Sequence, residues 1–203
     1  MKKIKILILL NVVFIIGLNA QTNNTSKSIL SAGDMEFLKE MTKDVMESSR
    51  IYPGQKVSDE FGCNNSGGVL IRPGGRNCYP AFWIRDYAMS LESGFVLKEE
   101  QKHMLFLTAS KQCDQTWISK IGGMIPLGAI PDHIRIDDSN PIFYPGTYDY
   151  NRQGGKTWGI FPPYGDQYFF IHMAWNYFKT TTETDFLLEE INGIKLVDRL
   201  ELA

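Results

Sequence analysis

The chain has 203 residues, with 21 basic side chains against 23 acidic ones and a formal net charge of −2. It carries no basic patch and no Lys/Arg-rich helix, which argues against nucleic acid as a partner, because that role requires phosphate neutralisation. Aromatic residues make up 12% of the chain, a content that suits carbohydrate or other partly apolar ligands.

Residues 1–20 read as a secretory signal peptide. Lys2, Lys3 and Lys5 form a basic n-region, and Ile6 to Leu18 is an almost unbroken apolar run. At about thirteen residues that run is short for a bilayer span, which needs about 20. Asn19-Ala20 places a small residue before Gln21, at a plausible cleavage point. Retained, the segment would be a membrane anchor; cleaved, it leaves no stable membrane span and an exported protein, periplasmic or secreted. No cysteine follows the cleavage point, so no lipid anchor is expected there. Removing three lysines from the 21 basic residues leaves 18 against 23 acidic, a net charge near −5. Export permits a disulfide. Cys63 and Cys78 flank one glycine-rich loop and form the expected pair; the alternative is three unpaired, partly buried thiols. Cys113 reads as a small buried hydrophobe.

Residues 21–33 are a polar linker. The first predicted helix covers Asp34 to Ser49, with Met35, Leu38, Met41 and Val45 on one face and a capping signal in Ser31-Ala32-Gly33-Asp34. Residues 51–80 are rich in Gly, Pro, Asn and Ser and read as loop or short strand, with Val69-Leu70-Ile71 as a piece of a rim hairpin. A second helix is expected from Phe82 to Val96, a third from Lys98 to Ile118, a fourth from Asp166 to Lys179. The fifth follows Thr182-Glu183-Thr184-Asp185 and is interrupted by Asn192-Gly193. Short links within pairs and long links between them describe consecutive αα-hairpins, so the expected class is all-α, with long Gly/Pro/aromatic-rich loops at one end.

Two segments carry chemistry. Phe82-Trp83-Ile84-Arg85-Asp86 follows a glycine-rich run and opens a helical pattern. Asp86 can accept hydrogen bonds from hydroxyls, Arg85 can donate a fork of them, and the Trp83 indole can cover an apolar sugar face. The plainer alternative is an Arg–Asp pair at an ordinary charged helix start. The second segment, Ser119 to Gly165, mixes Tyr144, Tyr148 and Trp158 with Asp132, His133, Asp137 and Asp138. It reads either as a saccharide cleft or as an aromatic-packed loop sealing one end of the domain. Asp132-His133 with Asp137-Asp138 is weighed against a metal site, but the spacing lacks a turn glycine and a terminal Glu; a solvated acidic turn is the alternative. No metal or cofactor is expected. Asp166 suits a helix cap; His172 reads as a core or groove residue, and His103 as a helix-surface one.

Trp83-Ile84-Arg85-Asp86-Tyr87-Ala88-Met89 resembles the W-x-R-D-x-A motif of six-hairpin glycosidases, the glucoamylase group in particular. Trp158-Gly159-Ile160-Phe161-Pro162-Pro163-Tyr164-Gly165-Asp166 is similar to their W-G-x-P-x-x-D segment, with extra residues between Trp158 and Asp166. The resemblance covers residues 34–203 and implies an (α/α)6 toroid, of which about five helices are present here. It implies that Arg85 and Asp86 hold the sugar beside the scissile bond, that Trp158 is an aromatic platform and that Asp166 is a polar contact at the mouth of the fourth helix. Trp83, Asp132, His133, Tyr144 and Tyr148 form a second tier. In that register the two catalytic carboxylates, about 6.5–9.5 Å apart in inverting enzymes, fall beyond Ala203. The sequence therefore reads as the N-terminal part of a glycoside hydrolase-like domain, completed by a missing C-terminal half or an oligomer partner. A carbohydrate-binding protein without catalysis and a helical scaffold of an exported complex are the alternatives.

Overall fold

The computed structural model describes residues 29–59, 62–72, 81–118, 124–138, 141–143 and 165–203. The chain divides into two compact units, residues 1–39 and 40–203. Among the described residues no helix is long and apolar enough to cross a membrane.

Helix α1 covers Ala32–Ser48. Its start is capped as the sequence predicts. The Asp34 amide donates to Ser31 Oγ at 3.1 Å, while the Asp34 carboxylate accepts from the Ser31 amide at 2.8 Å and from its hydroxyl at 2.7 Å. These bonds satisfy donors that a helix start leaves without partners and hold the Asp34 carboxyl below its usual range. The predicted apolar stripe is not a core face, however. Met35, Leu38, Met41 and Val45 are all exposed, and only Met46 is buried.

The expectation of an all-α toroid is overturned within residues 40–203. The described residues form a mixed α/β arrangement with ten strands of two or three residues, paired antiparallel into two-stranded sheets. Strands β1 (Arg50–Ile51) and β4 (Leu70–Ile71) pair with Ile51 opposite Leu70, and all three apolar residues are buried. The Leu70–Ile71 segment is thus core, not rim. Strands β2 (Lys56–Ser58) and β3 (Gly62–Cys63) form a second pair. Cys63 is a free thiol in β3; its expected disulfide partner, Cys78, lies outside the described residues.

The predicted second helix divides in two. Its first residues are strand β5 (Ala81–Trp83), and helix α2 covers only Ile84–Ser90 before a single 3-10 turn at Leu91–Ser93. Gly94, at φ 74°, closes that turn in a conformation costly for other residues. Helix α3 (Lys98–Ser110) starts where the Glu100 carboxylate accepts from the Leu97 amide at 2.8 Å. It stops eight residues short of the expected Ile118. The Cys113 amide donates to Ala129 O and the Gly128 amide to Cys113 O, both at 2.8 Å. That pairing draws the chain off the helix axis into strands β6 (Trp117–Ile118) and β7 (Met124–Ile125).

Strand β8 (His133–Arg135) pairs with β5, and helix α4 (Gly165–Thr181) matches its predicted span within two residues at each end. The predicted fifth helix becomes a 3-10 turn (Thr184–Leu188), strands β9 (Glu190–Ile191) and β10 (Ile194–Lys195), and helix α5 (Leu196–Leu202). Asn192 and Gly193, both at positive φ, are the two-residue turn between β9 and β10, a hairpin signal rather than a helix interruption.

The core of this unit is one apolar cluster. Phe82, Ile84, Tyr87 and Ala88 meet Met104 and Leu105 of α3, Ile134 of β8 and Phe170, Met173 and Tyr177 of α4. Helix α4 packs against both α2 and α3. A charged pair is built into this frame. The Arg50 guanidinium donates to both carboxylate oxygens of Glu100, at 2.6 and 3.0 Å, and to Phe95 O at 2.8 Å.

Candidate functional site

Strand β5 and helix α2 are consecutive, so the residue at their junction belongs to both. Trp83 ends the strand and is the N-cap position of the helix, with extended φ and ψ and no side-chain cap. Arg85 and Asp86 therefore emerge in the first helical turn, next to the sheet edge. Both are exposed, and among the described residues neither makes a hydrogen bond or an ion pair. The Arg–Asp pair is not a structural cap here.

The antiparallel register puts Ala81 opposite Arg135, Phe82 opposite Ile134 and Trp83 opposite His133. Side chains alternate across a strand pair. Phe82 and Ile134 face the core and are fully buried, which sends Trp83 and His133 together to the other face. Their rings stack, with centroids 4.4 Å apart and planes 25° from parallel. One indole face expected to meet sugar therefore carries the imidazole.

His133 also holds Asp132. The His133 Nδ1–H donates to Asp132 Oδ2 at 2.8 Å. The backbone pins the same residue. Asp132 N–H donates to Ile142 O at 2.8 Å, and Asp132 O accepts from the Ile84 amide at 3.0 Å. Asp132 and His133 are 7% and 4% exposed, so the solvated acidic turn expected from sequence is a buried, oriented pair.

Asp166 enters from a third segment, in the first turn of α4. It is 8% exposed and accepts no hydrogen bond among the described residues, so it does not act as the cap proposed from sequence. Burial pushes its carboxyl up to about 7; the negative charge of Asp132 adds to the rise, and the Arg85 guanidinium opposes it. A helix N-terminus and a cation both favour carboxylate. Here desolvation and the second carboxylate outweigh them.

The structure thus brings together Trp83, Arg85, Asp132, His133 and Asp166, from three separated stretches of sequence, with Asp86 one residue from Arg85. Tyr144, Tyr148 and Trp158 lie outside the described residues. His103, expected on a helix surface, is half-buried and bonded to Ser66 Oγ at 3.1 Å. His172 faces Glu92 at 3.5 Å. Among the described residues no group of three or more His, Cys, Asp or Glu is arranged to hold a metal ion. What the arrangement offers is two buried carboxyl groups in unequal environments, an exposed guanidinium and an aromatic stack. The sequence singled out Asp132 as a sugar contact or metal ligand and Asp166 as a polar contact or helix cap. Nothing in their local patterns signals that both are buried.

Comparison of the chain with family models, with curated proteins and with solved structures found no match.

Proposed function

We propose that this protein is exported and glycoside hydrolase-like, with a poly- or oligosaccharide as its ligand. The observation that carries the reading is the convergence of Arg85, Asp132, His133 and Asp166 beside the Trp83–His133 stack. Sugar hydroxyls call for acceptors and donors close together, near an apolar ring face. Arg85 supplies donors, and Asp86 and Asp132 supply acceptors. The resemblance of the Trp83–Met89 and Trp158–Asp166 segments to six-hairpin glycosidases supports the same ligand class, independently of the toroid it also implied. The unpartnered Arg85 and Asp86 side chains support ligand contact over a capping role.

Calorimetric titration with gluco-, manno- and uronate-containing oligosaccharides tests this. The wild-type chain is expected to bind at least one class, with affinity lowered tenfold or more by Arg85→Ala and by Asp86→Ala. Binding of none of the three, or binding indifferent to both substitutions, would remove the carbohydrate reading.

A second reading, a scaffold that docks other proteins, draws on a different face. Tyr168, Ile171 and Trp175 lie on one side of α4 and are 76%, 45% and 63% exposed, a composition found in interface anchors. It predicts that Trp175→Ala changes association state while Arg85→Ala changes nothing.

A further inference from the structure

We propose that the cavity where helix α4 gives way to the 3-10 turn is a binding site for a small organic ammonium ion, with Lys102 as its internal stand-in. This cavity is at the far end of α4 from Asp166. The helix has 17 residues, so its ends are about 24 Å apart, and the inference is independent of the carbohydrate reading.

The cavity measures about 450 Å³ and is lined by Lys102, Glu189 and the continuous stretch from Thr182 to Phe186. Small-molecule sites have volumes of about 300–1,000 Å³. The lining favours a positive charge. Helix α4 ends at Thr181, which brings the negative end of its dipole to the start of this stretch. The carboxylates of Glu183, Asp185 and Glu189 line the cavity together with one cation, Lys102. Glu183 is already committed, since it accepts from the Tyr177 hydroxyl at 2.6 Å and pairs with Lys98. Asp185 is exposed and has no hydrogen bond or ion pair among the described residues.

The chain itself shows how the cavity seats a cation. The Lys102 ammonium lies 4.5 Å from the centroid of the Phe186 ring and 2.8 Å from Glu189 Oε1. The ring face attracts a cation through its quadrupole, and the carboxylate accepts from the N–H groups. Phe186 is buried and meets Tyr177 edge-on at 5.6 Å, so the ring is fixed. The Lys102 side chain is half-buried, on a flexible four-carbon stem, and can swing into solvent. An ammonium on another molecule would meet the same ring and the same carboxylate. It would also gain Asp185, with which Lys102 makes no ion pair. The exchange leaves no charge buried, because the displaced Lys102 ends in water.

The test is NMR titration of the intact chain with n-butylammonium at constant ionic strength, with n-butanol as the neutral counterpart. Butylammonium is expected to shift the amides of Thr182 to Glu189, and butanol to leave them unmoved. The Phe186 ring current should hold the Lys102 ε-methylene protons upfield in the free protein, and butylammonium should return them to the ordinary position. Lys102→Gln should tighten binding about tenfold, the worth of one strong cation–π contact. Lys98→Gln removes an equal charge beside Glu183 but leaves the ring covered, and should change affinity by no more than about twofold. Adding Glu189→Gln to Lys102→Gln should cancel the gain. Absence of shifts with butylammonium, or the same shifts with butanol, overturns the inference. So do Lys102 protons that stay upfield in the bound state, and equal tightening by Lys98→Gln and Lys102→Gln, since cations would then gather by charge alone. Retention of the gain in the double variant overturns it as well.

Discussion

The Trp83 indole and the His133 imidazole stack at 4.4 Å across the β5–β8 pair, and the same imidazole holds Asp132 at 2.8 Å. An aromatic residue and a carboxylate from distant parts of the chain are therefore coupled through one ring. Stacking restricts the ring plane, and the ring plane sets where Nδ1–H points. Orientation of Asp132 thus depends on Trp83 as well as on His133.

Trp83→Ala should accordingly destabilise the fold by about 3 kcal/mol, since it removes the stack on His133 and a half-buried volume. Trp83→Phe keeps an aromatic face and should restore at least half of the loss. Urea unfolding of the two variants measures the difference. Equal destabilisation by both would mean that size, not stacking, is what the site requires.

Arg85→Ala and Asp86→Ala should leave folding stability within about 0.5 kcal/mol of wild type, because exposed side chains without partners contribute little. Thermal unfolding monitored by circular dichroism tests this. A loss of more than about 1.5 kcal/mol in either variant would mean that the pair supports the α2 start after all, and any accompanying loss of sugar binding would be indirect.

Periodic features were legible in the sequence and partner-dependent ones were not. Helix α4 was readable because its pattern is continuous, and the Ser31–Asp34 cap because it is local. Strand β5 was not, because Phe82 and Trp83 run straight into the helical stripe of Ile84, Ala88, Leu91 and Phe95, and two residues there fit a first helical turn as well as a strand end. Only pairing with Ile134 decides between them, and that partner is far along the chain. The end of α3 is set in the same way by Ala129 and Gly128. At the site, Arg85 and Asp132 could be singled out by residue type. Burial of Asp132 could not, since an Asp-rich turn looks solvated until its neighbours are placed. The raised Asp166 carboxyl is likewise a property of its surroundings, not of any motif.

Two glycines should tolerate substitution unequally. A Cβ on Gly128, at φ 82°, would sit 2.2 Å from the Leu202 carbonyl oxygen, and backbone cannot yield cheaply. A Cβ on Gly68 would sit 2.4 Å from the His103 ring, which can rotate only by giving up its bond to Ser66. That bond is structural rather than a nucleophile–base pair. Asn64 Nδ2 donates to Ile51 O and Gly68 O, and Asn64 Oδ1, at 2.7 Å, is a closer acceptor for the Ser66 hydroxyl than Gly68 O at 3.3 Å. His103 Nε2–H is left to donate to Ser66 Oγ. Gly68→Ala should cost about 1–3 kcal/mol, as overpacking does, and Gly128→Ala more, by denaturant midpoint. A smaller cost at Gly128 would show that α5 shifts freely.

Stability itself should carry the signature of Asp166. Its folded-state carboxyl lies at about 7, against an ordinary value of 3.8. Between those pH values the folded chain binds a proton that the unfolded chain has released. Stability falls with rising pH wherever the folded state binds more protons. The contribution is therefore complete below the unfolded value near pH 4 and is lost as pH rises through 7, with a slope of up to about 1.4 kcal/mol per pH unit. Asp166→Asn removes the titrating group while keeping its size, so its stability should decline less over this range, and it should overtake the wild type by pH 8. Urea unfolding at half-unit pH steps measures the two slopes. Parallel curves for wild type and Asp166→Asn would show that the folded state lets Asp166 ionise at the ordinary pH, and that burial there is relieved by solvent.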